Sequence, residues 1–304
     1  SIPNLLKAYE QQRLGPKDVI DAILEKTSAL SENPIWITQP NRATLQPFLD
    51  RLADTPPGSL PLWGVPFAVK DNIDVAGMPT TAGCPGFAYT PTTSAFAVEQ
   101  LIAAGAVPIG KTNLDQFATG LVGVRSPYGI PFNPSTPTLI PGGSSSGSAI
   151  AMACGLVSFA LGTDTAGSGR IPAAFNGLTG SKLTRGLIST SGVVPACRSL
   201  DCVSLFTHNA RDAALIASIA AAMDDQDAFA RPNTPANAFN RFGRWSGKLT
   251  LGVIRPEQLK FFGDDAYADA YQRTLDALSN RGVNLQPIDF SPFQRAAAQL
   301  YEGP

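Results

Sequence analysis

The stretch PGGSSSGSAIAMACGLVSFALGTDTAGSGR, residues 141–170, decides how the rest of the chain is read. Its first cluster, Pro141-Gly142-Gly143-Ser144-Ser145-Ser146-Gly147-Ser148, runs straight into Ala149-Ile150-Ala151-Met152-Ala153, a small-residue pattern that predicts a helix. Composition alone would make this cluster a flexible linker. A linker does not enter a helix directly and then repeat its own chemistry one strand later, as happens here. Val157 to Leu161 predicts that strand, and Gly162-Thr163-Asp164-Thr165-Ala166-Gly167-Ser168-Gly169-Arg170 follows at its C-terminal end. Serines ahead of a helix also serve as caps, so some of the first cluster's hydroxyls are expected to cap. A serine on a glycine-rich turn at a strand end presents its hydroxyl to a cleft while backbone N–H groups converge beside it. That geometry suits a nucleophile with an oxyanion site. A phosphate-binding loop is the competing reading, but Gly-x-x-x-x-Gly-Lys-Ser/Thr does not occur and Gly-x-Gly-x-x-Gly is not found in this strand-turn context.

Outward from this segment, short apolar strands at Trp63 to Val69 and Ala106 to Gly110 alternate with helical patterns at Ala95 to Ala104 and after Ser146. Alternation of this kind predicts an α/β sheet with helices on its faces. Residues 1–55 read as helical. Leu5, Leu6, Tyr9 and Leu14 form one stripe, Gly15-Pro16 breaks it, and Val19, Ile20, Ile23 and Leu24 form another. Ile35-Trp36-Ile37 predicts a short strand and residues 41–54 an amphipathic helix. Residues 224–247 lose apolar periodicity and read as a surface loop or linker, after which Leu249 to Ile254 predicts a strand and Asp265 to Leu278 a helix.

Hydrophobic residues make up 44% of the 304 and charged ones 15%, which is globular composition and argues against disorder. The charges nearly cancel, 23 basic against 24 acidic, and no long basic run occurs, so a nucleic-acid partner held through phosphates is not expected. Cysteines 84, 154, 197 and 202 form no Cys-x-x-Cys pair and have no histidine neighbours, so no metal site and no cofactor are expected. They read as small buried hydrophobes. No apolar signal-like segment opens the residues and no run of 18 apolar residues occurs, so the expectation is a soluble cytoplasmic protein without a membrane partner.

The single histidine, His208, excludes two-histidine zinc sites and would have to be the base of any histidine triad. It lies in Phe206-Thr207-His208-Asn209, away from the glycine-rich turns, and reads as an ordinary surface or core residue. A lysine can replace it if burial lowers its pKa. Lys70 ends the apolar strand Phe67-Ala68-Val69-Lys70-Asp71-Asn72, but Lys111 and Lys182 are comparable by position, and spacing alone does not choose among the three.

These residues resemble the amidase signature family. Three elements match in the family's order: Gly64-Val65-Pro66-Phe67-Ala68-Val69-Lys70-Asp71-Asn72, Gly142 to Ser148, and Gly162 to Ser168. The likeness covers residues 60–201 and implies a large mixed β-sheet flanked by helices on both faces, with an N-terminal helical segment. The family's two triad serines stand 24 positions apart, which picks Ser144 from its run as the partner of Ser168. The resemblance implies Lys70 as base, Ser144 as a bridging serine held by a cis peptide bond and Ser168 as nucleophile. It implies an oxyanion site of the N–H groups of Thr165, Ala166, Gly167 and Ser168. Ala166 stands where many members have the first of two glycines.

Residues Gly192 to Ser204 and Leu300-Tyr301-Glu302-Gly303-Pro304 are similar to the corresponding stretches of allophanate hydrolases. That implies a small amide substrate, allophanate, broken down to ammonia and carbon dioxide, in urea or s-triazine degradation. Tyr301, Gly120 and Arg198 are the substrate contacts it implies, with Arg125 and Arg170 as alternatives to Arg198, and a further arginine expected beyond Pro304. The rivals are another amidase signature enzyme, such as a malonamidase, a general amidase or one subunit of a glutamine amidotransferase, and a non-catalytic scaffold. The resemblance also implies a homodimer, with residues 1–55 at its interface, and one C-terminally incomplete catalytic domain over residues 1–304.

Overall fold

The computed structural model describes residues 1–233 and 247–303. They fall into two compact units, one within Ser1–Phe242 and one within Gly243–Pro304. The first is built on six strands: β1 Trp36–Thr38, β2 Pro66–Lys70, β3 Val107–Thr112, β4 Phe159–Thr163, β5 Thr179–Lys182 and β6 Val203–Thr207. They lie side by side in the order β1–β3–β2–β4–β6–β5. The central β2 runs parallel to both β3 and β4, whereas β1, β6 and β5 each pair antiparallel with their neighbours, which makes the sheet mixed.

Strands β2 and β4 are buried at every position because helices cover both faces of the sheet. The helices are α1 Ile2–Glu10, α2 Pro16–Ala29, α3 Arg42–Ala53, α4 Phe96–Ala103, α5 Ser146–Ala153, α6 Arg170–Phe175 and α7 Ala210–Ala220. Alternate side chains of a strand point to opposite faces. Phe67, Val69, Phe159 and Leu161 pack in one core with Val98 and Leu101 of α4 and Ile216 of α7. Ala68 and Ala160 face the other core, with Ile150 and Met152 of α5, Ile20 and Ile23 of α2, and Leu45 of α3. The fold is the expected α/β architecture, including the helical start of the chain.

The strands run further than their apolar stretches predict. β3 reaches Thr112 and β4 reaches Thr163, two residues past the expected ends, while β2 starts late at Pro66 because Gly64 turns the chain with φ +71°. The added residues Lys70, Lys111, Thr112 and Thr163 are polar yet buried, so the hydrophobic pattern stops before the ladder does. Strand β5 (Thr-Gly-Ser-Lys) carries no apolar side chain and gives no periodic signal at all. The capping expectation fails: Ser145 stands at the N-cap of α5 without a side-chain cap bond, and its hydroxyl instead donates to the Thr163 carbonyl at 3.2 Å. Ser148 likewise donates to the Leu161 carbonyl at 2.9 Å, so these serines fasten α5 to β4.

Residues 224–233 carry neither helix nor strand, and the rest of the expected loop, 234–246, lies outside the described residues. The second unit is a β–α–β element: β7 Thr250–Ile254, α8 Asp265–Asn280 and the parallel partner β8 Asn284–Ile288, followed by α9 Ser291–Glu302. Among the described residues, no helix is long and apolar enough to cross a membrane.

Phe67 and Phe159, each fully buried, stack across the β2–β4 pair with ring centroids 4.9 Å apart. Phe67→Ala is therefore expected to reduce unfolding free energy in urea by about 3–5 kcal/mol, while Phe67→Leu costs less than about half of that.

Candidate active site

Because β2, β3 and β4 are parallel, their C-terminal ends share one edge of the sheet. The chain leaves β2 for β3 on one side and later returns to β4 on the other, so this edge is a topological switch point, where such sheets form their clefts. Lys70 is the last residue of β2 and Thr163 the last of β4. The two serine clusters flank them, one leading into α5 and the other leaving β4.

Lys70 Nζ donates to Ser144 Oγ at 2.7 Å and to Thr163 Oγ1 at 2.7 Å, and the side chain is wholly buried. Both partners are neutral hydroxyls. Burial pushes the ammonium down to about 7, against the opposing pull of the carboxylates of Asp115, Asp164 and Asp201. Lys111 is as deeply buried, but it donates to Thr80 Oγ1 at 2.8 Å and sits 3.5 Å from the Asp71 carboxylate. Burial lowers it as well, to about 8, with Asp71 restraining the fall. Lys182 donates to the Leu183 carbonyl and to Cys202 Sγ. Of the three candidate lysines, Lys70 is the one that reaches a cluster serine.

The Gly143–Ser144 peptide bond is cis. A side chain at Gly143 would collide with Asp115 Oδ2 and the Gly123 nitrogen, which explains the glycine there. Asp115 N–H donates to the Ser144 carbonyl at 3.0 Å, and its carboxylate accepts from Gly123 N–H and Arg125 N–H, so one buried residue holds the serine run and the 120–125 loop together. Ser168, 4% exposed, lies against the same run, since its carbonyl accepts from Ser145 N–H at 3.3 Å. Its hydroxyl donates to the Gly120 carbonyl at 3.3 Å, which places Gly120 at the candidate nucleophile.

The turn after β4 is organised by Asp164, fully buried, which accepts from Gly167 N–H at 2.8 Å, from Gly169 N–H and Arg170 N–H at 3.1 Å, and from both sides of the Arg170 guanidinium. Burial alone would raise this carboxyl, but the Arg170 guanidinium and the N–H donors outweigh it and hold it below the usual range. Of the four expected oxyanion donors, one already has a partner. Gly167 N–H is committed to Asp164, whereas the N–H groups of Thr165, Ala166 and Ser168 meet no acceptor among the described residues. Arg170 is committed to the same carboxylate and so is not a free cation for substrate.

Arg198 is exposed and makes no hydrogen bond or ion pair among the described residues; Arg125 is exposed and donates to the Thr119 carbonyl. Tyr301 lies in α9, in the other unit. His208 is exposed and follows the C-terminal end of β6, which runs antiparallel to β4 and so ends at the opposite edge of the sheet. Among the described residues no group of three or more acidic, histidine or cysteine side chains could hold a metal. The four cysteines are free; Cys154 and Cys202 are buried as expected, but Cys84 and Cys197 are only partly so. Sequence does not single out Thr163 or the three aspartates, since nothing in their spacing marks them.

Comparison with known proteins gives this geometry a context. The family model described as Amidase matches residues 41–303. The chain is 45% identical over 291 residues to the urea amidolyase of Lachancea kluyveri, covering 93% of this chain and 15% of that one. It is 37% identical to a glutamyl-tRNA(Gln) amidotransferase component of Methanosarcina barkeri, covering 79% of this chain and 50% of that one. The structure of Kluyveromyces lactis allophanate hydrolase superposes with a TM-score of 0.88 at 40% identity, over 96% of this chain and 48% of that one. The chain spans half or less of the length of each of these relatives. A family match over most of its residues, joined to the lysine and two serine clusters at one sheet edge, settles that the chain belongs to the amidase signature family.

Proposed function

We propose that the protein is an amide hydrolase that uses Lys70, Ser144 and Ser168 and acts on allophanate. One observation carries the reading: a wholly buried lysine whose side-chain hydrogen bonds go to hydroxyls, with its pKa near 7, touches a cluster serine. A neutral amine there can accept a proton, as a general base must at neutral pH. Ser168 Oγ attacks the amide carbon, its proton passes to Ser144 Oγ, and the Ser144 proton passes to Lys70 Nζ. The N–H groups of Thr165, Ala166 and Ser168 stabilise the oxyanion. As the C–N bond breaks, Ser144 gives a proton to the departing ammonia and is refilled from Lys70. Water then attacks the acyl-Ser168 ester by the same relay, and with allophanate the released N-carboxycarbamate goes on to carbon dioxide and a second ammonia.

The substrate assignment is supported by the likeness to a urea amidolyase and to an allophanate hydrolase, and by the exposed Arg198 as a site for the substrate's carboxylate. Tyr301 joins the proposed contacts on the same resemblance. The second reading, one component of a glutamine-using amidotransferase, is favoured by the relative from M. barkeri. A single catalytic domain over residues 1–304, dimerisation through residues 1–55, a cytoplasmic location and a role in urea or s-triazine degradation go with the main reading as proposals.

Ammonia release from allophanate, biuret, malonamate, glutamine and simple amides separates the readings: allophanate is expected to be fastest, and faster turnover of glutamine or malonamate rejects it. Ser168→Ala is expected to abolish turnover and labelling by a fluorophosphonate, Lys70→Ala to lower kcat by at least about a hundredfold, and His208→Ala to stay near wild type. An active Lys70→Ala variant rejects the relay. Because only the neutral amine accepts a proton, kcat/KM should fall about tenfold per pH unit below about 7 and level off above it. A flat profile between about pH 5.5 and 8 would remove Lys70 as the base.

A further inference from the structure

The antiparallel pairing of β4 and β6 ends with Thr163 opposite Val203, and continuing that register by two residues brings Thr165 opposite Asp201. At that point Asp201 Oδ1 accepts from Thr165 Oγ1 at 2.5 Å and from Cys197 N–H at 3.1 Å, while Oδ2 accepts from Ala196 N–H at 3.1 Å. Asp201 is 5% exposed, and the backbone closes behind it with Asp164 N–H on the Cys202 carbonyl at 2.8 Å. The 196–201 loop therefore folds around one buried carboxylate whose remaining bond goes to the turn that carries Ser168. That loop holds Arg198, and the turn holds the uncommitted N–H groups of Thr165 and Ala166.

We propose that Asp201 is a positioning residue that fastens the Arg198-bearing loop to the Thr165 end of the serine turn, fixing the separation between a cation and the oxyanion donors. This rests on the amide-hydrolase reading above. A ligand that feels the fixed separation must touch both ends, with an anionic group at Arg198 and a reacting carbonyl oxygen at Thr165 and Ala166. A neutral amide of the same size touches only the second. Asparagine cannot replace the aspartate, because one of its two ends is a donor and would face an N–H of the loop. Valine at 165 keeps the shape of threonine but removes the hydroxyl, so the Asp201 carboxylate loses its bond to the serine turn.

The test compares allophanate with biuret, its neutral isostere, in the full-length chain. Thr165→Val and Asp201→Asn are each expected to lower the allophanate-to-biuret ratio of kcat/KM by about tenfold or more, and Thr165→Ser to restore most of what valine removes. Arg198→Gln should lower the ratio similarly, and adding Thr165→Val to it should lower the ratio less than about twofold further, since both act on one separation. Thermal melting checks that each variant is folded; if Asp201→Asn is not, the residue 165 and 198 variants decide alone. A ratio that stays at the wild-type value in folded Thr165→Val, or losses that multiply independently in the double variant, overturns the positioning role. Wild-type protein that hydrolyses no amide removes both readings, whereas active wild type with an unmoved ratio removes this one only.

Discussion

A charged amine cannot be taken out of water without a counter-charge or a lost proton, and Lys70 is the place where this protein meets that constraint. Its hydrogen-bond partners are two hydroxyls, and every residue of its strand is buried. The enclosing architecture follows from this need. Two cores sandwich the central strands, so the lysine stem is dry to its tip, and α5 brings Ser144 over the strand end. Lys111, one strand away and equally buried, faces the same constraint with a different solution, because Asp71 supplies the counter-charge. Two lysines in nearly identical burial thus differ in what stands beside the amine, hydroxyls at Lys70 and a carboxylate at Lys111.

Around Lys70 stand three buried carboxylates, each tied to a different loop. Asp115 holds the 120–125 loop, Asp164 the serine turn, and Asp201 the 196–201 loop. Their charges oppose the fall in the lysine's pKa, so it comes to rest near 7 instead of lower. The same groups that hold the loops in place therefore also set the titration of the buried amine. Structural order and acid–base poise are not separable at this edge of the sheet.

Much of this is legible in the residues alone. The two glycine–serine clusters and the shortage of histidine point to a lysine-assisted serine, the choice of Lys70 over Lys111 and Lys182 comes only with the family resemblance, and the α/β alternation is what is observed. What stays hidden is hidden for physical reasons. Asp201 lies 36 residues from Thr165, and the pair exists only through the β4–β6 register. Gly167 looks like its neighbours in sequence, yet its N–H is taken by Asp164, a fact of turn geometry. Strand β5 has no apolar side chain to betray it, and the serines expected to cap α5 bind the adjacent strand instead.

The polar ends of the three parallel strands have one more implication. Lys70 and Thr163 terminate neighbouring strands, so their separation is not set by a loop that can breathe. It is set by the ladder itself, whose register carries Lys70 to a point opposite Gly162, the neighbour of Thr163, with about 4.8 Å from strand to strand. The ladder acts as a ruler for the amine and its hydroxyl partner, and whatever the surrounding loops do in sequence or in motion, that spacing is inherited from the backbone.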